Sequence, residues 1–577
     1  MIHRTKGVRA IPPAAALAIL AHLLLALSLV PNGATGHQDE PYYLASTRTM
    51  LQQGDYILPR YNGEDRIKKP ILFYWFAVAP QWISGPSIGA ARLVSVVAST
   101  LLAVGVWWFS RCFFGAVRHR LMLLWGLLAS DIFLRYAHYA VPEMTLTLFM
   151  SAAQMVLFEH FRRRELGLGD GGRRLLFFGL LGLGFMVKGP VAVLLPLAVA
   201  AIYLAVHRAW RTALSLLYLP GILLAAGLIV PWYLVLITRL GWWPFLDMVR
   251  EETLARVVGH NAGVYYFLPI SLAYYLPVTV CLIPALLRTA RRLRTRSGMF
   301  LGLSTYPAIW FLTYFAWYSL VVGEKHQWYA LQWCVPWLVI VIHLIRRHDR
   351  QGGLWVVGGM MRSLCFILAA LTIMAAWILG PVLAPPEALA ALVVLLLSAG
   401  AVITGMRMRR VSFASQFIVV CLVAMLGHAV VLHGVYPTTA LRPIPRLAEQ
   451  FRHATESTTV LVVERYIAKK FRAYPFPSNV MLHYESRPAD YTQVWRETCP
   501  GFVVCRGHQW AAMAPTIRRH YGVRHAGYLI RRSFDQGPWA AVGEAIRRRD
   551  PGLLFDPLLL LERRGIAGPC SEGPTGG

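Results

Sequence analysis

Acidic residues are scarce in this chain: 28 Asp and Glu stand against 57 Lys and Arg, for a formal net charge of +29. Charged residues of both signs make up only 15% of its 577 residues, where a soluble protein carries about 25%. That is too little polar surface for a water-soluble globule of this length. The 8 cysteines are scattered, with no CxxC and no Cys/His metal spacing, which leaves out a zinc ribbon or a dithiol redox module. Only Cys499 and Cys505 fall close together, in a region expected outside the cytoplasm where a disulfide is compatible with the compartment. Repeats and low-complexity tracts of significance are missing as well.

What is present is apolar. Hydrophobic residues make up 56% of the chain, grouped in runs of about 20 residues, the length needed to cross a bilayer. A polytopic α-helical membrane protein follows. The basic excess does not imply nucleic acid, because the arginines fall mostly in short loops between apolar runs, which is the footprint of membrane topology.

Hydropathy predicts about thirteen spans, near 10–31, 86–110, 119–136, 142–160, 173–187, 190–206, 214–237, 264–287, 300–322, 328–345, 358–381, 386–405 and 412–434. The first follows Arg4, Lys6 and Arg9, and no small-residue cleavage site precedes Asp39 convincingly, so it reads as an uncleaved span. With the N-terminus inside, the inside loops carry Arg111, Arg118 and Arg120, then Arg162 to Arg164, Arg173 and Arg174. Later ones carry Arg208 and Arg211, Arg288 to Arg296, Arg346 and Arg347, and Arg407 to Arg410. Each obeys the rule that cytoplasmic loops are basic.

Two outside loops are basic against that rule. The first, 32–85, predicts interfacial amphipathic helices near Glu40–Gln52 and Pro70–Ile83; the second, 238–263, alternates aromatic and charged residues as a segment in the headgroup layer does. The membrane domain is expected to span 1–436. From 437 to 577 the apolar spans stop, and β-rich runs (Thr458–Val463, Val480–His483, Phe502–Cys505, Leu558–Leu561) alternate with amphipathic stretches at Gln509–His520 and Trp539–Arg548. That predicts a small C-terminal α/β domain, extracytoplasmic because the number of spans is odd. Its basic clusters, Arg531-Arg532 and Arg547 to Arg549, suit either a solvated face or anionic headgroups. Gly565–Gly577 has the composition of a disordered tail.

Charge within or beside a span costs roughly 2.5–3.5 kcal/mol on insertion scales. Asp39, Glu40, Lys68 and Lys69 occupy the first outside loop; Glu143 opens span four; Lys188 lies in the hairpin after span five. Lys325 sits between spans nine and ten, Arg92 near the outer end of span two, and Arg256 and His260 in the second outside loop. All fall on one side of the membrane. Taken singly, each lysine is equally explained by snorkelling or by pairing at a helix end. Taken together, carboxylates and cations at one membrane face make a site for a phosphate-bearing lipid and an acceptor. Lys69, Lys188, Lys325 and Arg256 would neutralise a leaving phosphate, and Asp39, with Glu143 assisting, would accept a proton.

The order Asp39-Glu40-x-x-Tyr43, Met50-x-x-x-Gly54-Asp55-Tyr56-x-x-Pro59 and Lys69-Pro70-x-Leu72-x-Tyr74-Trp75 resembles the first periplasmic loop of lipid-carrier-dependent GT-C glycosyltransferases. More narrowly, it is similar to the superfamily of aminoarabinose lipid A transferases and protein O-mannosyltransferases. Glu143-Met144, Lys188-Gly189-Pro190, Pro231-Trp232-Tyr233, Glu252-x-x-x-Arg256-x-x-x-His260 and Lys325-x-x-x-Tyr329 with Pro336 extend the likeness over roughly 1–345. The resemblance implies a GT-C architecture in a bacterial inner membrane and a polyprenyl-phosphate sugar donor, with a lipid or protein acceptor and inversion at the sugar. It implies Asp39 as the main catalytic carboxylate, Glu143 as the second acid and Lys69 as a carrier-phosphate ligand. Glu40 is expected to join the catalytic set, and Lys188, Arg256, Lys325, Tyr329 and Arg92 the phosphate-binding one. One departure bears on metal. Lys68 stands where the aminoarabinose transferases tend to have Glu, a position that can share a divalent metal with the histidine matching His260, and the lysine removes that ligand. Two other classes remain open: a lipid-linked-sugar flippase, which would place charge through the bilayer depth, and a surface-polysaccharide ligase or polymerase with arginine-rich outer loops.

Overall fold

A computed structural model describes residues 11–30, 37–61, 63–247, 250, 262–276, 278–281, 305–349, 396, 400, 412–430, 443–452, 458–463, 467, 470–471, 474, 480–484, 500–513, 515–530, 548 and 555–563. The chain divides into two compact units. One comprises Met1–Pro31, Ser46–Leu368 and Ala399–His428; the other comprises Asn32–Ala45, Ala369–Ser398 and Ala429–Gly577.

The first unit is helical. Helix α1 (Pro13–Leu29) starts on a proline, whose fixed φ and missing N–H suit a first turn. After it come α2 (Glu40–Gln53), whose first residues group with the other unit, a two-residue hairpin β1 (Arg60–Tyr61) and β2 (Glu64–Asp65), and α3 (Leu72–Ser84). Both helices foreseen in the first loop are therefore present. Helix α4 (Ile88–Phe109) is capped by the Ser87 hydroxyl, which accepts from the Ala90 N–H. Ser99 of α4 meets His22 of α1 at 3.0 Å.

The third predicted span is not continuous. It divides into α5 (Val117–Leu128) and α6 (Asp131–Tyr136), with the Ser130 hydroxyl donating to the Gly126 carbonyl at 2.6 Å. That bond gives the backbone a partner where the helix breaks. Next come α7 (Pro142–Glu165), α8 (Arg173–Lys188), α9 (Val191–Val206), α10 (Trp210–Leu214) and α11 (Leu219–Leu240). Helices α8 and α11 approach closely. A Cβ on Gly182 would stand 3.1 Å from the Ala225 Cα, and one on Gly221 would run into the Phe178 ring; small residues permit such approach where no hydrophobic drive separates protein from lipid.

Helix α12 (Phe267–Tyr274) and α13 (Thr305–Ala316) lead to a π-turn at Trp317–Val321, a 3-10 segment at Gln327–Trp333, then α14 (Cys334–Asp349) and α15 (Phe413–Val430). Among the described residues, three helices are long and apolar enough to cross a membrane: Ile88–Cys112, Leu219–Leu240 and Gln327–Arg346. Shorter apolar helices occupy Pro13–Leu29, Val191–Val206 and Phe413–Met425. The spans foreseen at 358–381 and 386–405 lie almost wholly outside the described residues.

In the second unit α16 (Pro443–Arg452) precedes a five-stranded sheet of β3 (Thr458–Val462), β4 (Val480–Tyr484), β5 (Phe502–Arg506), β6 (Tyr521–Ile530) and β7 (Phe555–Arg563). The spatial order is β4-β3-β5-β7-β6, parallel among the first three and antiparallel beyond. Alternation along the strands divides the core. Val460, Val462 and Val504 pack under Leu447 and Phe451 of α16, while Leu461, Val503 and Cys505 face the other way with Met513 and Tyr521. The four strands foreseen from apolar runs are present. Strand β6 was not foreseen: it is an edge strand with Val523 and Arg524 exposed, and Gly522, Arg524, His525 and Gly527 interrupt its apolar residues. The helix expected over Gln509–His520 is two short pieces, Gly507–Ala512 and Pro515–Arg518. Trp539–Arg548 lies outside the described residues apart from its last position.

Cys505 is a buried free thiol, and burial pushes its pKa up to about 12; Cys499 lies outside the described residues. The thiolate is the nucleophile, so Cys505 is inert while the sheet is folded. Maleimide mapping of the purified protein at pH 8 is expected to leave Cys505 unlabelled in the native state and to label it after denaturation; native labelling would show the thiol exposed or ionised.

Candidate functional site

The N-terminus of α7 and the C-terminus of α8 meet, because the two helices run antiparallel through a short connection. Each brings a charge to that meeting point. Glu143 lies in the first turn of α7 and Lys188 is the last residue of α8, the placements that the helix macrodipole favours for an anion and a cation respectively. The Lys188 ammonium donates to Glu143 Oε1 at 2.8 Å. The two side chains are only 6% and 5% exposed, so the charges are compensated where solvation is weakest. Gly189 ends α8 at φ +86°, its N–H donating to the Phe185 carbonyl at 2.7 Å. An L side chain is strained at that φ, and the Lys-Gly-Pro turn follows from it.

Lys188 also borders a cavity of about 710 Å³. Lys68 and Lys69, from the segment entering α3, stand at the same cavity, as does Tyr329. The Lys188 ammonium lies 5.4 Å from the centre of the Tyr329 ring, within range of a cation–π contact. The remaining wall is apolar and aromatic: Phe185 of α8, Leu194 of α9, then Ile229, Trp232 and Tyr233 of α11. Trp317 and Tyr318 close it from the π-turn. A π-turn inserts an extra residue and re-aims the side chains around it, and here Tyr318 stacks on Tyr329 with ring centres 4.6 Å apart. Ammonium groups set in a largely apolar wall accommodate an amphiphile with a charged head.

The first loop is fastened to α11 beside this cavity. Asp55 accepts two bonds from the Arg239 guanidinium, both at 3.0 Å, and the Ile57 N–H donates to it at 3.1 Å. The Trp232 indole donates to the Ile57 carbonyl at 3.1 Å, and the Trp75 indole to the Tyr56 carbonyl at 2.7 Å. Burial pushes the Asp55 carboxyl up, but the Ile57 and Leu58 N–H groups and Arg239 outweigh it and hold the group below its usual range. Asp55 belonged to the motif that carried the resemblance, yet its fixing role was not readable, because Arg239 is remote in the chain and sits at the end of an apolar run.

The remaining residues singled out from sequence distribute as follows. Lys325 is buried, its ammonium donating to the carbonyl of Val322, a lining residue of the cavity, at 3.1 Å. Arg92 is buried in α4 with its guanidinium 3.5 Å from the Val30 carbonyl and does not line the cavity. Asp39 and Glu40 group with the second unit. Asp39 is half-buried, its backbone N–H donating to His37 Nδ1 at 3.1 Å, and Glu40 is fully buried in the first turn of α2. Arg256 and His260 lie outside the described residues. Among the described residues no three His, Cys, Asp or Glu side chains gather as a metal site would require. Lys68, read from sequence as half of a basic pair and as the loss of a metal ligand, is an exposed residue of the cavity lining, and its carbonyl accepts from the Lys69 ammonium at 2.9 Å.

Fold and comparison define one class, an ArnT-like GT-C fold with apolar helices and a C-terminal sheet. Residues 14–241 match the family model described as dolichyl-phosphate-mannose-protein mannosyltransferase. An undecaprenyl phosphate-alpha-4-amino-4-deoxy-L-arabinose arabinosyl transferase of Edwardsiella ictaluri is 29% identical over 341 residues, covering 58% of this chain and 60% of that protein. Its namesake in Yersinia enterocolitica is 30% identical over 322 residues, covering 54% of this chain and 55% of that protein. The chain thus matches between 55% and 60% of the length of these curated relatives. The crystal structure of ArnT from Cupriavidus metallidurans bound to undecaprenyl phosphate is similar with a TM-score of 0.68 at 20% identity, over 97% of this chain and 100% of that one. These likenesses bear out the resemblance to the GT-C glycosyltransferase superfamily, and the shared fold reaches well past the part alignable by sequence.

The Asp55 clamp predicts an acid-side effect. A carboxylate held below its unfolded value stabilises above the unfolded pKa of about 3.9, and that stability is lost as pH falls through the lower folded value. Melting temperatures of wild type and Asp55→Asn in detergent are expected to differ at pH 6 and to converge as pH falls below about 4; parallel profiles would remove the charge from the clamp. Breaking the buried pair with Glu143→Ala is expected to cost about 3 kcal/mol, because a buried ammonium is left without its partner. The double variant with Lys188→Met is expected to recover part of that loss in the same thermal assay.

Proposed function

We propose that this protein is a membrane glycosyltransferase that moves a sugar from a polyprenyl-phosphate carrier, undecaprenyl phosphate in a bacterial inner membrane, to a lipid or protein acceptor at the outer leaflet. The observation that carries this reading is the cavity itself, in which Lys68, Lys69 and Lys188 line an otherwise largely apolar, aromatic-walled volume. An isoprenoid chain offers no hydrogen-bonding group and fills such walls, while its phosphate needs cations in a place of low dielectric. The relatives' names support the same donor: the Edwardsiella protein acts with undecaprenyl phosphate-linked aminoarabinose, and the Cupriavidus ArnT holds undecaprenyl phosphate.

In this reaction an acceptor oxygen attacks the anomeric carbon from the face opposite the carrier, and the bond from that carbon to the carrier phosphate oxygen breaks with inversion. The acceptor proton passes to Asp39. The charge left on the phosphate is taken up by Lys68, Lys69 and Lys188, with Lys325 and Arg256 adding to the field. Glu143 keeps Lys188 in place and Tyr329 packs against its ammonium. The topology that fits has about thirteen spans, residues 1–436 as the membrane domain, a cytoplasmic N-terminus and residues 437–577 in the periplasm.

Asp39→Asn is expected to lower transfer at least about 100-fold, as loss of a general base does, while leaving expression and melting temperature unchanged. Lys69→Ala is expected to weaken donor binding about tenfold, roughly 1.4 kcal/mol, with the fold intact. Mass spectrometry of envelope lipids and glycoproteins from cells with and without the protein tests the reading as a whole: one sugar should disappear from one acceptor class, and identical profiles would overturn it.

A further inference from the structure

A second cavity lies at the other end of the α7–α8 pair, and the transfer reaction does not use it. Its volume is about 600 Å³. Four guanidiniums border it, Arg111, Arg162, Arg163 and Arg173, against one carboxylate, Glu159. Arg162 is matched to that carboxylate by two bonds of 2.7 and 2.8 Å. The other three are oriented by uncharged groups. Arg111 lies 3.9 Å from the centre of the Trp108 ring, Arg163 donates to the Gly169 carbonyl at 2.9 Å, and Arg173 donates to the Asp170 carbonyl at 2.8 Å. Gly171, at φ +60°, leaves room for the Arg173 guanidinium, since a Cβ there would stand 2.6 Å from it. Three half-buried cations thus stand around one space that holds a single carboxylate, Glu159, which is bonded to Arg162 and lies within electrostatic reach of Arg111.

The rest of the lining is apolar and lies on one side of the arginines. On α4, Gly105 and Trp108 precede Arg111; on α7, Ala152, Met155 and Val156 precede Arg162; Leu176 faces them from α8. Along both long helices these residues lie toward the middle of the bundle, so the cavity has a cationic mouth and an apolar furrow leading inward. At 1.5 Å per residue, Glu159 lies about 24 Å along α7 from Glu143, close to the roughly 30 Å of a hydrocarbon core. The two cavities therefore open at opposite faces of the membrane.

We infer that this second cavity binds an anionic phospholipid of the opposite leaflet, its phosphate among Arg111, Arg163 and Arg173 and an acyl chain along the furrow between α4, α7 and α8. Basic pockets between membrane helices recognise lipid phosphates in this manner. Free inorganic phosphate shares the headgroup chemistry but would leave the furrow unfilled. The bound lipid ties α4 to the α7–α8 pair and stabilises the folded state by mass action.

The test uses the purified full chain in detergent, titrated separately with phosphatidylglycerol, phosphatidylcholine and inorganic phosphate, and read by native mass spectrometry and thermal melting. Phosphatidylglycerol is expected to be retained at least tenfold more tightly than phosphatidylcholine and to raise the melting temperature, with no shift from millimolar phosphate. The double variant Arg111→Gln, Arg173→Gln is expected to abolish the preference, while Arg211→Gln, an exposed arginine outside the cavity, keeps it. Should the double variant fail to fold, Ala152→Leu fills the furrow without touching the arginines and is expected to lower phosphatidylglycerol retention. Equal retention of the two lipids, a preference that survives these cavity substitutions, or protection by phosphate equal to that by phosphatidylglycerol would overturn the assignment.

Discussion

The ion pair between Glu143 and Lys188 is the constraint on which the first cavity depends. Two antiparallel helices end at one place, and each terminus carries the sign of charge that its own dipole favours. The 2.8 Å bond then compensates both charges in a nearly dry setting. Without either member the other would be buried alone, a cost far larger than the gain of an exposed pair. The ammonium that reaches the cavity is therefore held from behind by a carboxylate and in front by an aromatic ring. It is a fixed charge rather than a mobile one, and fixed charge is what stabilises a leaving group without reorganisation.

A second set of restraints acts on the loop that supplies Lys68 and Lys69. Asp55 is clamped by Arg239, and two indoles cap the carbonyls of Tyr56 and Ile57. An indole N–H is a donor only, so each tryptophan closes one backbone acceptor, Trp232 with its ring buried and Trp75 with its ring part-exposed. The segment between α2 and α3 is thereby fastened to α11 just before it reaches the lysines. The π-turn at Trp317–Val321 brings aromatic side chains from the opposite wall.

Much of this was legible in the sequence, and the limits have a physical cause. Hydropathy reports depth, so helix positions such as Ile88–Phe109 and Arg173–Lys188 fall within a few residues of expectation. The strands at Thr458–Val462 and Phe502–Arg506 were visible as apolar runs, because their alternate side chains are buried in the cores on both faces of the sheet. Strand Tyr521–Ile530 was not, since Gly522, Arg524, His525 and Gly527 break its apolar run. The break at Ser130 left no trace in hydropathy, for the side chain that satisfies the freed carbonyl is small. Depth does not report neighbours. Lys69 and Lys188 were grouped by the side of the membrane they shared and do line one cavity, with Tyr329 of the resemblance motif; Arg92, grouped on the same ground, is not part of that lining and meets the Val30 carbonyl.

The glycines at the α8–α11 contact carry one more consequence. With Gly182 against the Ala225 backbone and Gly221 under the Phe178 ring, the two helices interlock without space for so much as a methyl group between them. A wall built that tightly cannot swing outward on one helix alone. Both helices line the larger cavity, so any widening along that side has to carry α8 and α11 together or displace the Ala225 backbone and the Phe178 ring.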